Sequence, residues 1–207
     1  MILNAIRGHL AEFGVIAAHG PHPVMGLIQR LSSKEDLGLP DIARASLLAF
    51  GAYLEALAGE IRALERRLMA WHRKDAKSQR LETIPGVGLI TATALAASVP
   101  DPSVFNSGRQ FAAFLGLVPR QNSSGGKDRL GHISKMGNGY LRRLLVVGAT
   151  SVVRRAGTNP TKTGYWVRLL LERKPARVTT VAMANRTARV AWAVLIRGEP
   201  YRASPAA

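Results

Sequence analysis

Between Leu47 and Trp71 the sequence repeats one spacing without a lapse. Leu47, Phe50, Leu54, Leu57, Ile61, Leu64, Leu68 and Trp71 follow each other at alternating steps of three and four residues. An α-helix carries such residues in a single stripe, and a strand does not. The spacing therefore predicts one long helix over about residues 41–80 with a coiled-coil seam. Its polar positions mix signs: Glu55, Glu60, Arg62, Glu65, Arg66 and Arg67. In a parallel homodimer Glu60 and Glu65 would meet as like charges, which leaves an antiparallel or internal partner at least as well placed. Self-association through residues 47–71 and burial as a core helix of one domain are both compatible with the stripe.

The rest of the chain is punctuated around that helix. Ile2, Leu3, Ile6, Leu10 and Phe13 recur at helical steps, and the Gly20-Pro21-His22-Pro23 cluster reads as a breaker before a linker. His19 and His22 have no neighbouring acids that would make them metal ligands. Beyond residue 80, Ile84-Pro85-Gly86-Val87-Gly88 forms a tight turn before another apolar helix. The first amides of such a helix are unpaired, and they would suit a phosphate. A plain packing turn is the alternative. Asn106 or Ser107 can cap a short helix bearing Phe111, Phe114 and Leu115, and Asn138 can cap one over about 139–156. Further helices are expected at Tyr165–Glu172 and about Val178–Ile196. In the last, Val181, Asn185, Ala188, Trp192 and Leu195 run down one face, with Arg186, Arg189 and Arg197 available for a backbone or for solvent. No stretch reads as strand-rich, so the fold class is mainly α. It divides into residues 1–40 (a terminal helix plus linker), the 41–80 helix, a compact helical domain over 81–202 and a loose tail at 203–207.

Charge decides the function class. The net charge of +16 is concentrated: residues 1–118 hold 12 Lys/Arg against 10 Asp/Glu, and residues 119–207 hold 17 against three (Asp128, Glu172, Glu199). A half so one-sided points to a polyanion, with nucleic acid ahead of an anionic membrane or a solvated face. No run of 18 uncharged apolar residues occurs, which argues against a membrane span. The absence of cysteine excludes disulfides and thiolate metal sites and is compatible with the cytoplasm.

Within the basic half lies Pro119–Asn138. Ser123 and Ser124 precede Gly125-Gly126, and Arg120, Lys127, Arg129, His132, Lys135, Arg142 and Arg143 flank them. Glycines allow close backbone approach, and hydroxyls and cations meet phosphodiesters. A serine here could act as a nucleophile with cations around the developing charge and His132 as base, although Ser-Ser-Gly-Gly is also common loop material. Three acids in this half, none paired at helical spacing, exclude two-metal chemistry by this chain alone. Gly126-Lys127-Asp128 lacks the hydroxyl of a P-loop. The metal assignment is none.

Ile84-Pro-Gly-Val-Gly88, Phe111-Ala-Ala-Phe-Leu-Gly-Leu-Val-Pro-Arg-Gln-Asn-Ser-Ser-Gly-Gly-Lys127, Leu130-Gly-His-Ile-Ser-Lys-Met-Gly-Asn138, Leu141-Arg-Arg-Leu-Leu145 and Val181-Ala-Met-Ala-Asn-Arg-Thr-Ala-Arg-Val-Ala-Trp192 together resemble one family. It is the C-terminal transposase domain of the DEDD insertion-sequence transposases, relatives of the Piv pilin-gene invertase and known as bridge-RNA-guided recombinases. The resemblance implies DNA transposition and recombination, DNA and a guide RNA as partners, and a composite active site. In that site an acidic, RNase H-like N-terminal domain binds Mg, and the C-terminal domain supplies a serine that becomes linked to DNA. The matching positions are Ser124, then Ser123, with Ser134 a distant third that reads better as a cap before the next helix. Pro85, Gly86, Val87 and Gly88, which resemble a helix-hairpin-helix turn, join the basic residues above as backbone contacts. Family members carry their acids ahead of the segment that begins here at Asn4, so this chain is expected to be a truncated copy, binding no cofactor itself and inactive alone. The alternative is a non-catalytic nucleic-acid-binding module that regulates a full-length transposase.

Overall fold

A computed structural model describes residues 2–33, 35, 37–122 and 130–203. The protein is mainly α, as its sequence predicts, and divides into two compact units, Met1–Arg67 and Leu68–Ala207. The helices are α1 (Ile2–Glu12), α2 (Pro21–Ser32), α3 (Asp41–His72), α4 (Ala76–Glu82), α5 (Leu89–Ser98), α6 (Gly108–Phe114), α7 (Gly139–Arg154), α8 (Lys162–Leu171) and α9 (Ala176–Arg197).

In the first unit Ile6, Leu10, Val24, Ile28, Leu31 and Leu47 form the core. The expected breaker at Gly20–Pro23 instead starts α2, with its prolines in the first turn. A proline there loses no helical hydrogen bond, because the first amides of a helix have no partner. α3 carries the heptad stripe as expected, but only Leu47 is buried at 1% exposure; Phe50, Leu57, Ile61 and Leu64 are 36–59% exposed. By length and composition α3 could cross a membrane, with a mean hydropathy of 1.2 over 18 residues; no other described helix qualifies.

The predicted single helix over 41–80 is interrupted. It stops at His72, and Asp75 caps a separate α4 by accepting the Ser78 amide at 2.6 Å. A polar chain that runs from buried Ser78 and His72 to exposed Glu82 closes this corner. Ser78 Oγ lies 2.7 Å from His72 Nδ1, and Glu82 Oε2 lies 2.9 Å from His72 Nε2. Ser78 is fully buried, so the group braces the α3–α4 corner and presents no nucleophile to solvent.

The core of the second unit is built from Leu81, Leu95, Phe111, Leu115, Leu141, Leu145, Val167 and the small residues of α9. The face of α9 that enters it is Met183, Ala184, Thr187, Ala188, Ala191 and Val194. Of the stripe read from the sequence, Ala188 is in the core, Trp192 and Leu195 pack against it, and Val181, Asn185 and Trp192 line a cleft. Beyond α9, the Tyr201 amide donates to Thr83 Oγ1 at 2.8 Å, which ties the chain after Gly198 to the end of α4.

The Pro119–Asn138 stretch is not a plain loop. Pro119–Gln121 (β1) and Leu130–Ile133 (β2) pair antiparallel, with Pro119 opposite Ile133 and Gln121 opposite Leu130. Ser123, Ser124, Lys127 and Arg129 lie between the strands, outside the described residues.

Candidate nucleic-acid interface

The ribbon rises from a tightly fitted base. Gly116 and Gly137 both adopt positive φ (69° and 78°), and a Cβ on Gly116 would stand 2.2 Å from the Met136 oxygen. Only glycine meets both demands. The Ser134 amide donates to the Val118 oxygen and the Lys135 amide to the Gly116 oxygen. Ser134 does not cap the following helix. Asn138 does so, accepting the amides of Tyr140 and Leu141 at 3.0 Å each.

The basic residues singled out in the sequence divide by what they touch. Arg142 is half-buried, and its Nη1 donates to the oxygens of Leu115 and Met136, both at 3.0 Å. It thereby ties the end of α6 to the β2–α7 connection. Arg120 on β1 donates to the Ser134 oxygen at 3.3 Å and is otherwise exposed. Arg143 is exposed over the Tyr140 ring, 5.9 Å from its centroid. His132 and Lys135 face a cleft of about 1630 Å³ beside the ribbon.

That cleft gathers residues from four places in the chain. The ribbon side supplies Pro119, Gly131, His132 and Lys135, the start of α6 supplies Ser107 and Arg109, and α8 supplies Trp166. The opposite wall is α9, with Arg177, Val178, Val181, Ala182, Asn185, Arg186, Arg189 and Trp192. Its apolar lining includes Leu117, Ile133, Val181, Ala182 and Val190, and its cations are Arg109, Lys135, Arg177, Arg186 and Arg189; no carboxylate lines it among the described residues. Arg186 stacks on Trp166, with Cζ 5.0 Å from the ring centroid. Asn185 Nδ2 and Trp192 Nε1 donate to the oxygens of Leu117 and Pro102 at 3.1 Å each. Arg109, Trp166 and Arg177 were not singled out in the sequence. Each is a single residue on a different helix, or at a different end of one, and only the tertiary fold assembles them.

The Ile84–Gly88 turn stands apart from the cleft and lines none of it. Val87 is buried in the core, and Pro85 and Gly86 are half-buried. Gly86 has φ 84°, and a Cβ on it would stand 2.8 Å from the Gly148 oxygen on α7. A Cβ on Gly148 would in turn collide with the Gly86 oxygen. These two glycines let the turn pack directly on α7. Gly88 is different: it is exposed, nothing lies within 4 Å of where its Cβ would be, and no side chain caps α5 behind it.

Residues 78–165, which hold this turn, the ribbon and the start of α8, match the model described as "Transposase IS116/IS110/IS902 family". A putative transposase, y4pF/y4sB, of Sinorhizobium fredii is 43% identical over 202 residues, covering 97% of this chain and 52% of its own length. A probable family 20 transposase of Pseudomonas aeruginosa is 45% identical over 202 residues, 97% of this chain and 60% of its own length. The chain belongs to the IS116/IS110/IS902 transposase family. The transposase for insertion sequence element IS1111A of Coxiella burnetii is 38% identical over 201 residues, 97% of this chain and 55% of that protein. The chain spans between half and three-fifths of the length of these relatives. The family match centres on the segment that joins the ribbon to its supporting helices.

Proposed function

We propose that the chain serves the transposition of an insertion sequence in the cytoplasm, as the DNA-binding and serine-bearing part of a recombinase. Membership in a transposase family over nearly the whole chain supports this reading most directly. Ser124 is the nucleophile, with Ser123 the neighbouring alternative. Its Oγ attacks a DNA phosphorus, a serine–phosphate bond forms, the bond to one deoxyribose oxygen breaks, and that oxygen leaves with a proton. Lys127, Arg129 and Lys135 offset the developing charge, and Arg120, His132, Arg143 and the amides at Gly88 hold the backbone.

The Mg chemistry that the resemblance implies does not fit the residues present. Among the described residues no three His, Cys, Asp or Glu side chains converge on a point. The carboxylates for such a site would come from other residues, and no step here is routed through a metal. A guide RNA is a further partner on this reading. Self-association uses the exposed seam of α3, where Leu57, Ile61 and Leu64 leave apolar surface open to a second copy. That seam also favours a second reading: a non-catalytic module that binds nucleic acid and regulates a full-length transposase through α3.

Covalent trapping separates the two. The full chain is incubated with labelled insertion-sequence ends together with the acidic domain of a full-length relative. The catalytic reading expects a protein–DNA adduct that Ser124→Ala abolishes and Ser123→Ala preserves. Salt-sensitive binding with no adduct under those conditions sinks it and leaves the regulatory module. An Ile61→Asp/Leu64→Asp variant should sediment as a smaller species than the wild type, and an unchanged sedimentation coefficient would remove the α3 seam from the proposal.

A further inference from the structure

The cleft between the ribbon and α9 has a composition that a duplex cannot use. Double-stranded DNA presents phosphates outward and keeps its base faces stacked inside, so a flat cationic surface suffices to hold it. Here the lining combines apolar Val178, Val181 and Ala182 with the indole of Trp166. Five cations line the same cleft, and no described carboxylate does. An unpaired nucleotide offers both matching features at once, a base face for the apolar lining and a phosphate for the cations.

We propose that this cleft binds unpaired nucleotides, with a base against the stacked Arg186–Trp166 pair and the flanking phosphates against Arg177, Arg189 and Lys135. Recognition is tolerant of sequence. The Trp192 N–H and one N–H of Asn185 already donate to main-chain oxygens, which leaves the Asn185 amide as a limited means of reading a base edge. Arg186 extends the platform, since its guanidinium already lies on the indole face. The single sign of the charge favours nucleic acid over an apolar segment of a protein partner, which would need no such cations.

The proposal rests on the reading that the chain binds nucleic acid, and its test separates the two. Fluorescence anisotropy of the full chain would use three labelled 20-mers of one sequence: single-stranded DNA, single-stranded RNA and duplex DNA. Both single strands should bind more tightly than the duplex, and the two single-stranded arms show which sugar is preferred. Trp166→Leu should weaken single-strand binding roughly tenfold or more, the loss expected of one base–aromatic stack, and leave the duplex nearly unchanged. Trp166 is half-buried, so Arg177→Gln/Arg189→Gln, at two exposed positions, provides a variant that spares the core. It should weaken single-strand binding and flatten its salt dependence. Single strands binding no better than duplex, or unaffected by both variants, would overturn the cleft assignment, leave DNA binding standing and return the cleft to a protein partner. Failure to bind any of the three would overturn the broader reading as well.

Discussion

Gly88→Asp distinguishes a phosphate contact from a packing turn because the two effects have opposite signs. Gly88 is the N-cap of α5, with φ −101° and ψ −177°, a conformation open to any residue, and its Cβ direction is empty. An aspartate there can accept the amide of Ile90 or Thr91, which now lack a side-chain cap. Such a cap contributes about 1 kcal/mol, and its charge at the positive end of the helix adds ~0.3–1 kcal/mol. For a chain of this size each kcal/mol raises Tm by about 2–4 °C, so differential scanning calorimetry should show a rise of a few degrees. If those amides also meet a DNA phosphate, the carboxylate displaces it. Losing a hydrogen bond to a charged group costs about 1.5–3 kcal/mol, or roughly 10- to 150-fold in duplex affinity. Anisotropy titration would measure that loss. A raised Tm with unchanged affinity would refute the phosphate contact and leave Gly86–Gly148 packing as the whole reason for the turn. A lowered Tm would refute the capping argument itself.

Three further tests address the scaffold. Gly148→Ala should lower stability by about 1–3 kcal/mol from overpacking, despite the helix propensity it gains, because its Cβ meets the Gly86 carbonyl and backbone cannot rotate away; a raised Tm would deny the close crossing. Ser78→Ala should cost about 1–3 kcal/mol in urea unfolding, since buried His72 keeps a ring nitrogen with no partner; an unchanged midpoint would show that the corner does not depend on it. Asp101 holds its carboxyl below the ordinary Asp range through hydrogen bonds from Ser103. Because the folded value is the lower one, its contribution is fully present above about pH 3.9, the unfolded value, and disappears as pH falls through the folded value; Asp101→Asn should remove that part of the acid limb of the stability profile.

Helices were legible where one face repeats for several turns. The stripe from Leu47 to Trp71 and the caps at Ser107 and Asn138 are local, so composition and spacing suffice to place α3, α6 and α7. The break between α3 and α4 was not legible, because α3 ends at His72, where the stripe itself ends, and Asp75 then caps a new short helix whose polar sequence carries no stripe of its own. The ribbon escaped for a different reason. Strands of three and four residues that contain proline, glycine and histidine carry no alternation to read, and their register depends on the fit of Gly116 and Gly137 beneath them. The stripe read on α9 serves two surfaces, core and cleft, that lie side by side on one helix. A periodicity of 3.6 shows that such a helix is amphipathic without showing which stripe meets the interior.

Net charge identifies the kind of partner but not the residues that meet it. Of the 17 basic residues after residue 118, Arg120 and Arg173 each donate to one main-chain oxygen, and Arg142 and Arg168 to two each. Arg142 holds those of Leu115 and Met136, and Arg168 those of Ala156 and Asn159 at 2.9 and 3.0 Å. Arg142 thereby joins two segments, whereas Arg168 ties α8 to the turn at residues 156–159, a role for which a rigid fork of donors is suited. Arg189, in contrast, faces the cleft from an exposed position. Arg142→Ala and Arg168→Ala should therefore lower Tm, each losing two hydrogen bonds from a charged donor at about 1.5–3 kcal/mol, with little change in the salt dependence of binding. Arg189→Ala should leave Tm in place and reduce the slope of log K against log[salt] by up to about 0.9. If Arg142→Ala altered the slope as much as Arg189→Ala, sorting the cations by their internal hydrogen bonds would be wrong, and the basic half would act as one undivided field.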